Sequence, residues 1–475
     1  MNAGADDVLL RPPTPGVAID DVEAAVREAA SFSLAGPALA DLVTPGGRAT
    51  VVIELPSLPL PSAASDPRRE AISATIDQLT ELGMSDVTIL VASGLQRRPS
   101  PQAIGLLVPP EFRRRFRGRV VVHDAESEAL VPLGDGTLRV APELVETDLV
   151  VTVTAAETVI HGGPAAFMRA AGASTIRSSS GPSLLESGSS LGWELGLSLE
   201  RLLGARVPLY GISLVLNLPL VFGGYPYQGE ILERLAGSKL RRLQSIVPPG
   251  VRARVIDRVP RELSAAAVFG GTPSVAHSEA LLRGIELKGT RVQEPFDAIV
   301  IGTPATTAFF PRERPNPVAA SYLGLGVALR MWRGAFPIRE GGTAILLHDF
   351  QRHFPTPTQT PYRRLFADPR TARDPTALRE AEAAALGDAA AITAYREGRA
   401  LHPLEPFHAW AGCDPVLSRL GNVLVAGCRD AHAARQLGFV PAVSPGVALA
   451  MARSSGAKRI GFLMSPPYFP LVVGD

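Results

Sequence analysis

Two separate series of short apolar runs, each alternating with stretches of helical spacing, leave this chain few folds to choose from. "RATVVIEL" (48–55), "DVTILVAS" (86–93), "GRVVVHDA" (118–125) and "TDLVVTVTA" (147–155) make up the first series. Nearly unbroken β-branched hydrophobicity of this kind belongs to strands buried on both faces, as in parallel sheets. Between the first two runs, "DPRREAISATIDQLTELGM" sets Ile72, Ile76, Leu79 and Leu82 at helical spacing and stops at Gly83. Strand, helix, strand is the unit of a parallel sheet. The pattern restarts with "DAIVIGTPA" (297–305), "GTAILLHDF" (342–350), "GNVLVAGC" (421–428) and "KRIGFLMS" (458–465). The expected fold class is therefore α/β, with two α/β domains, mainly parallel sheets and a cleft between them.

At 475 residues the chain exceeds what one core usually serves. The two series divide it into an N-terminal domain (1–268), a connecting helix (269–290, "PSVAHSEALLRGIELKGT" from 273) and a C-terminal domain (291–475). Residues 355–403, proline-rich and then Ala- and Glu-rich, read as an insertion or lid, with a plain surface helix as the simpler alternative.

Composition excludes several classes. Cys413 and Cys428 are the only cysteines, too few for a disulfide framework or a four-thiolate zinc site in one chain, and buried thiols are the plain reading. No uninterrupted apolar run reaches 18 residues, and the first residues lack the basic and apolar regions of a signal peptide, so a cytoplasmic protein with no membrane partner is expected. The net charge is +1, and the only basic cluster, "RRRFRGR" (113–119), reads as a solvated face, so no nucleic-acid partner is expected. Of 47 basic residues only Lys239, Lys288 and Lys458 are lysines, so nothing before residue 239 supplies a side-chain amine.

Ligands of open α/β sheets collect at the carboxyl ends of strands. That rule singles out "LPSLPLPS", "ASGLQRRPS", "HDAESE" and "TAAETVIHGGP". In the last, a strand end runs into a turn built on Gly162, Gly163 and Pro164, then a helix, where Ala165 and Ala166 stand in place of any reactive side chain.

In order and content these segments resemble the nickel-dependent lactate racemases. The family's Asp-x-Thr-Arg-Pro-x-Pro loop is met by Leu55 to Pro61, its Ala-(Thr/Ser)-Gly-x-His-Arg loop by "ASGLQRRPS", its Asn-His-Asp-like strand end by "VVHDAE", and its Gly-Gly-x-Lys loop by "HGGPA" followed by "STIRS". The likeness continues through "FDAIVIGTP", "IREGGTAILL" and the closing "RQLGFVPAVSPGVALAMARSSGAKRIGFLMSPPYFPLV". It implies a two-domain α/β enzyme that interconverts D- and L-2-hydroxy acids by hydride transfer on a nickel-pincer nucleotide tethered to the loop lysine. In the family, histidines move the hydroxyl proton and an arginine holds the carboxylate.

Position by position, this chain departs from that pattern. The tethering lysine falls on Ala165, so a covalent tether is not possible there, and which cofactor binds, if any, stays open. The loop histidine falls on Gln96, which hydrogen-bonds but does not shuttle a proton near pH 7. The arginine falls on Leu58, the preceding acid on Leu55, a second histidine on Ala155, and a third within Ser178 to Gly181. Flanking Pro59, Ser93, Gly94, Gly162 and Gly163 still match. The scaffold is kept and the ancestral activity is expected to be lost or altered.

Residues of the chain's own remain as candidates. His161 and Glu157, four residues apart, could share a proton or bind a metal if the loop turned them together, against the plainer reading of a loop histidine in an ordinary hydrogen bond. Ser93, Gly94, Gln96, Arg97, Arg98, Gly162, Gly163 and Arg177 are candidate ligand-binding positions for a small anion. His123 with Asp124 fits a structural strand-end hydrogen bond. "HDFQRH" (348–353) has irregular spacing for a metal site, "HPLEPFHAW" (402–410) reads as packing around Trp410, and the serine-rich run 177–192 lacks a nearby base. Two function classes survive: an isomerase of another 2-hydroxy acid using an untethered nickel-pincer nucleotide, and a non-catalytic protein that binds small anions. The oligomeric state is not legible.

Overall fold

The computed structural model describes residues 6–56, 58–60, 63, 66–221, 251, 261–304, 314–354 and 356–474. Ser57, Pro61 and Ser62 of the first predicted loop, Ala305 of the "DAIVIGTPA" run and Pro355 of the predicted insertion lie outside them. Twelve strands form the two main sheets: β1 (Val8–Leu10), β2 (Arg48–Ile53), β3 (Asp86–Val91), β4 (Arg119–Val122), β5 (Leu149–Ala155), β6 (Leu209–Leu216), β7 (Ala265–Gly271), β8 (Phe296–Gly302), β9 (Ile338–Leu347), β10 (Asn422–Ala426), β11 (Val440–Ala442) and β12 (Ile460–Leu463). The first sheet runs β7-β6-β5-β2-β3-β4, parallel throughout except for β7, which lies antiparallel to β6. The second runs β1-β12-β8-β9-β10-β11 and is parallel throughout. The chain is thus α/β with mainly parallel sheets.

Helices that matter for the site are α1 (Val22–Ser31), α2 (Pro67–Glu81), α3 (Ala165–Arg169), α4 (Leu191–Gly204), α5 (Pro273–Lys288), α6 (Pro375–Leu386) and α7 (Ala389–Arg396). Local sequence dictates α2: the Asp66 carboxylate accepts the Arg68 N–H, Pro67 opens the first turn, and Gly83 with φ +95° follows the end. Ile72, Ile76 and Leu79 bury its inner face against the first sheet.

Val8–Leu10, placed in the N-terminal domain by the sequence pattern, pairs in register with Gly461–Leu463 of the second sheet. Leu10 then joins one continuous core with Val52, Leu90 and Val150 of the first sheet and Ile299, Ile301 and Leu346 of the second. The two sheets are therefore welded through shared apolar burial, which fixes how the loops at their strand ends face each other.

The described part of residues 355–403 packs against the loops of the first sheet. Tyr395 is fully buried and its hydroxyl donates to the Gly94 carbonyl at 3.3 Å, while Arg396 pairs with Asp124 at 3.2 Å and His402 with Glu126 at 3.0 Å. This stretch straps the second half of the chain onto the loops of the first sheet.

Candidate functional site

Strands β2, β3, β5 and β6 end together, and the segments that follow them line a cleft of about 630 Å³. Leu55, Leu58 and Leu60 come from the loop after β2, Ser93, Gln96 and Arg97 from the loop after β3, and Ala156 and Glu157 from the loop after β5. Helix α5 adds Leu281, Gly284, Ile285 and Lys288, and the second half of the chain adds Met331, Thr358, Leu401 and Tyr468. One wall is therefore leucine and isoleucine. The charged groups are Asp66, Arg68, Arg97, Glu157, Arg169 and Lys288.

Arg169, at the end of α3, is the central cation. It pairs with Glu54 at 3.2 Å, and its guanidinium would lie 3.6 Å from a Cβ on Gly94, whose N–H donates to the Arg169 carbonyl at 3.0 Å. Burial raises the Glu54 carboxyl to about 7, although Arg169 and a backbone hydrogen bond from Gly162 pull it down. Beyond Arg169 lies a small cavity of about 30 Å³ lined by Gln96, His161, Tyr322, Glu405 and His408. There the Gln96 amide donates to Glu405 at 2.6 Å, and burial raises Glu405 to about 7 against Arg169 and Gln96.

His161 and Glu157 open onto different spaces. The imidazole faces the small cavity, with Nδ1 2.8 Å from the Thr158 hydroxyl and its pKa held well below 6.5 by burial and by Arg169. Glu157 faces the cleft. The two side chains line separate spaces.

Several predicted ligand positions are occupied by the fold itself. Arg98 donates to the carbonyls of Arg396 and Val122 at 2.9 and 3.1 Å, and Arg177 pairs with Glu382 at 2.9 Å, so neither lines the cleft. The double glycine serves packing on α5. A Cβ on Gly163 (φ +51°) would sit 2.4 Å from His277 Cβ, and one on Gly162 (φ +90°) 2.6 Å from the Ala155 carbonyl oxygen. Gly163→Ala is expected to lower stability by about 3 kcal/mol through left-handed backbone and overpacking together. A denaturant midpoint matching the native one would show that α5 does not dictate these glycines.

Other positions settle into structural roles. His123 is buried with Nε2 2.8 Å from the Ala171 carbonyl oxygen. His348 Nδ1 accepts the Phe350 N–H at 3.1 Å, and among the described residues no three His, Cys, Asp or Glu side chains could together hold a metal ion. The Trp410 indole donates to Ala372 O at 3.2 Å. Ala155 packs into the core beneath α1 and α2, and its neighbour Ala156 is the one that lines the cleft. Sequence reasoning missed Glu54, Arg68, Arg169, Lys288 and Glu405. Two signals were available: Glu54 closes a strand run, and Lys288 is one of only three lysines.

Residues 7–163 match the family model of the lactate racemase N-terminal domain. Comparison with curated proteins gives no match. Among solved structures, the lactate racemase apoprotein from Thermoanaerobacterium thermosaccharolyticum aligns over 100% of this chain and 97% of its own length, at 14% identity and a TM-score of 0.61. A protein from Thermotoga maritima aligns over 96% of this chain and 99% of its own, at 12% identity and a TM-score of 0.49. Residues 7–163 are thus similar to the lactate racemase N-terminal domain, and the chain as a whole shares the fold of that apoprotein.

A covalently held nickel-pincer nucleotide does not fit these residues. The turn that would carry its lysine presents Ala165, which is 0% exposed and lines neither cavity.

Proposed function

We propose that this protein binds a small carboxylate bearing an apolar chain, of the 2-hydroxy or 2-oxo acid type, and that nickel-pincer hydride transfer is lost from it. The supporting observation is the division of the cleft: Arg97 and Arg169 offer positive charge, while Leu55, Leu58, Leu60, Leu281 and Ile285 form a wall suited to a hydrocarbon chain. Leu58 at the position equated with the family's arginine moves the expected ligand toward apolar character. A cationic group in such a partly dry cleft holds a carboxylate by charge-assisted hydrogen bonds.

Calorimetric titration with 2-hydroxy and 2-oxo acids of two to eight carbons tests this. Affinity is expected to rise with chain length by about 0.8 kcal/mol for each methylene buried, until the wall is covered. Equal affinity across the series, or none, would remove the proposal.

A further inference from the structure

We propose that Lys288 is the nucleophile of this cleft and takes the carbonyl carbon of a 2-oxo acid as a Schiff base. The inference rests on the carboxylate reading of the cleft and names the reactive group within it. Lys288 closes α5, lines the cleft, and is one of three lysines in the chain. Around it stand Gly284, whose Cβ position lies 3.7 Å from Lys288 Cε, together with apolar Leu281 and Ile285, while Glu157 is the charge it feels most. The amine has no ion pair or hydrogen bond among the described residues. Lys288 is half-buried, and loss of hydration holds its pKa below 10.5 against the pull of Glu157. A desolvated lysine is the usual source of a neutral amine near neutral pH.

The step balances without a further reactant. Glu157 takes one proton from the Lys288 ammonium, and the nitrogen lone pair attacks the carbonyl carbon. A C–N bond forms, and the carbonyl π pair goes to oxygen, which takes up a second proton from the nitrogen. The resulting hydroxyl then departs as water, carrying the proton that Glu157 returns, while nitrogen keeps one hydrogen and forms C=N. Ammonium and ketone become iminium and water. Arg169 or Arg97 holds the carboxylate, and the apolar wall takes the chain.

Borohydride trapping tests the step on the full chain. Native protein incubated with pyruvate or 2-oxohexanoate and reduced is expected to gain one adduct, mapped by peptide mass to Lys288 and not to Lys458. Lys288→Arg and Lys288→Met should lose the adduct while keeping the native melting temperature. If calorimetry shows that the native chain binds 2-oxohexanoate yet no adduct forms, or label also appears on Lys239 or Lys458, the Lys288 proposal is wrong and the cleft reading stands. If neither binding nor adduct is found, both fall.

Discussion

Lactate racemisation by the native chain is expected to be undetectable, and Ala165→Lys is expected to unfold the protein before it restores any activity. Ala165 is fully buried where α3 begins, and a Cβ on Gly196 of α4 would come within 3.3 Å of its backbone nitrogen. A lysine there adds three methylenes and an ammonium to a closed core, at about 1 to 3 kcal/mol for overpacking. It also leaves an ammonium without a partner, and an unpaired buried charge costs about 3 to 5 kcal/mol more. The sum rivals the whole stability of an ordinary domain, roughly 5 to 15 kcal/mol. Were the variant to fold, Gln96 would still be bonded to Glu405, and Ala155 and Leu58 would still offer no imidazole and no guanidinium. Loss of general acid and base catalysis alone is worth about a hundred- to ten-thousand-fold. The measurements are D-lactate formed from pure L-lactate, with nickel cofactor supplied, and the melting temperature of the variant. Turnover by the native chain, or a variant as stable as the native one, would refute this account.

What could be read from the sequence depended on how locally each feature is encoded. The eight apolar runs became strands because "TVVI" and "LVVTVT" are β-branched and buried on both faces, a property carried by consecutive residues. Four further strands of the two main sheets escaped, among them the three-residue Val440–Ala442 on the edge beside Leu424–Ala426. Val8–Leu10 is too short for a period and is defined only by its partner Gly461–Leu463, while Leu209–Leu216 and the Ala- and Gly-rich Ala265–Gly271 depend on their mutual pairing. The site divides in the same way. Strand-end loops located Ser93, Gln96, Arg97 and Glu157 in the cleft, since chain direction fixes where strands end. Which side chain fills which space was not legible, because Arg98 and Arg177 are claimed by Arg396 and Glu382, residues far away in sequence. The double glycine shows the limit most clearly. It has the look of an anion-binding turn, and tertiary packing on His277 already accounts for it.

Acid is expected to destabilise the protein steeply between pH 6.5 and 4, through its buried histidines. His123, His277, His348 and His408 are each lowered to about 4, chiefly by burial. In the unfolded chain each returns to about 6.5. Within this window the unfolded state binds more protons than the native state, so stability is complete above the unfolded value and is lost as pH falls through the folded one. Each such group contributes about 3 kcal/mol. Glu54 and Glu405 work in the opposite direction. Their folded values of about 7 lie above the unfolded carboxyl value of 4.5, so the native state gains protons first and is favoured as pH falls from 7 to 4.5. Four histidines, with His161 also lowered, outweigh two carboxyls, and the net loss by pH 4 is on the order of 6 kcal/mol. Melting temperature followed from pH 8 to pH 4 should therefore hold near its maximum between about 6 and 7.5 and then drop. His123→Gln, which keeps a donor for the Ala171 carbonyl but does not titrate, should flatten the drop by about one proton's worth of slope. Stability that rises steadily down to pH 4.5 would mean that the Glu54 and Glu405 carboxyls, and not the histidines, govern the acid response of this fold.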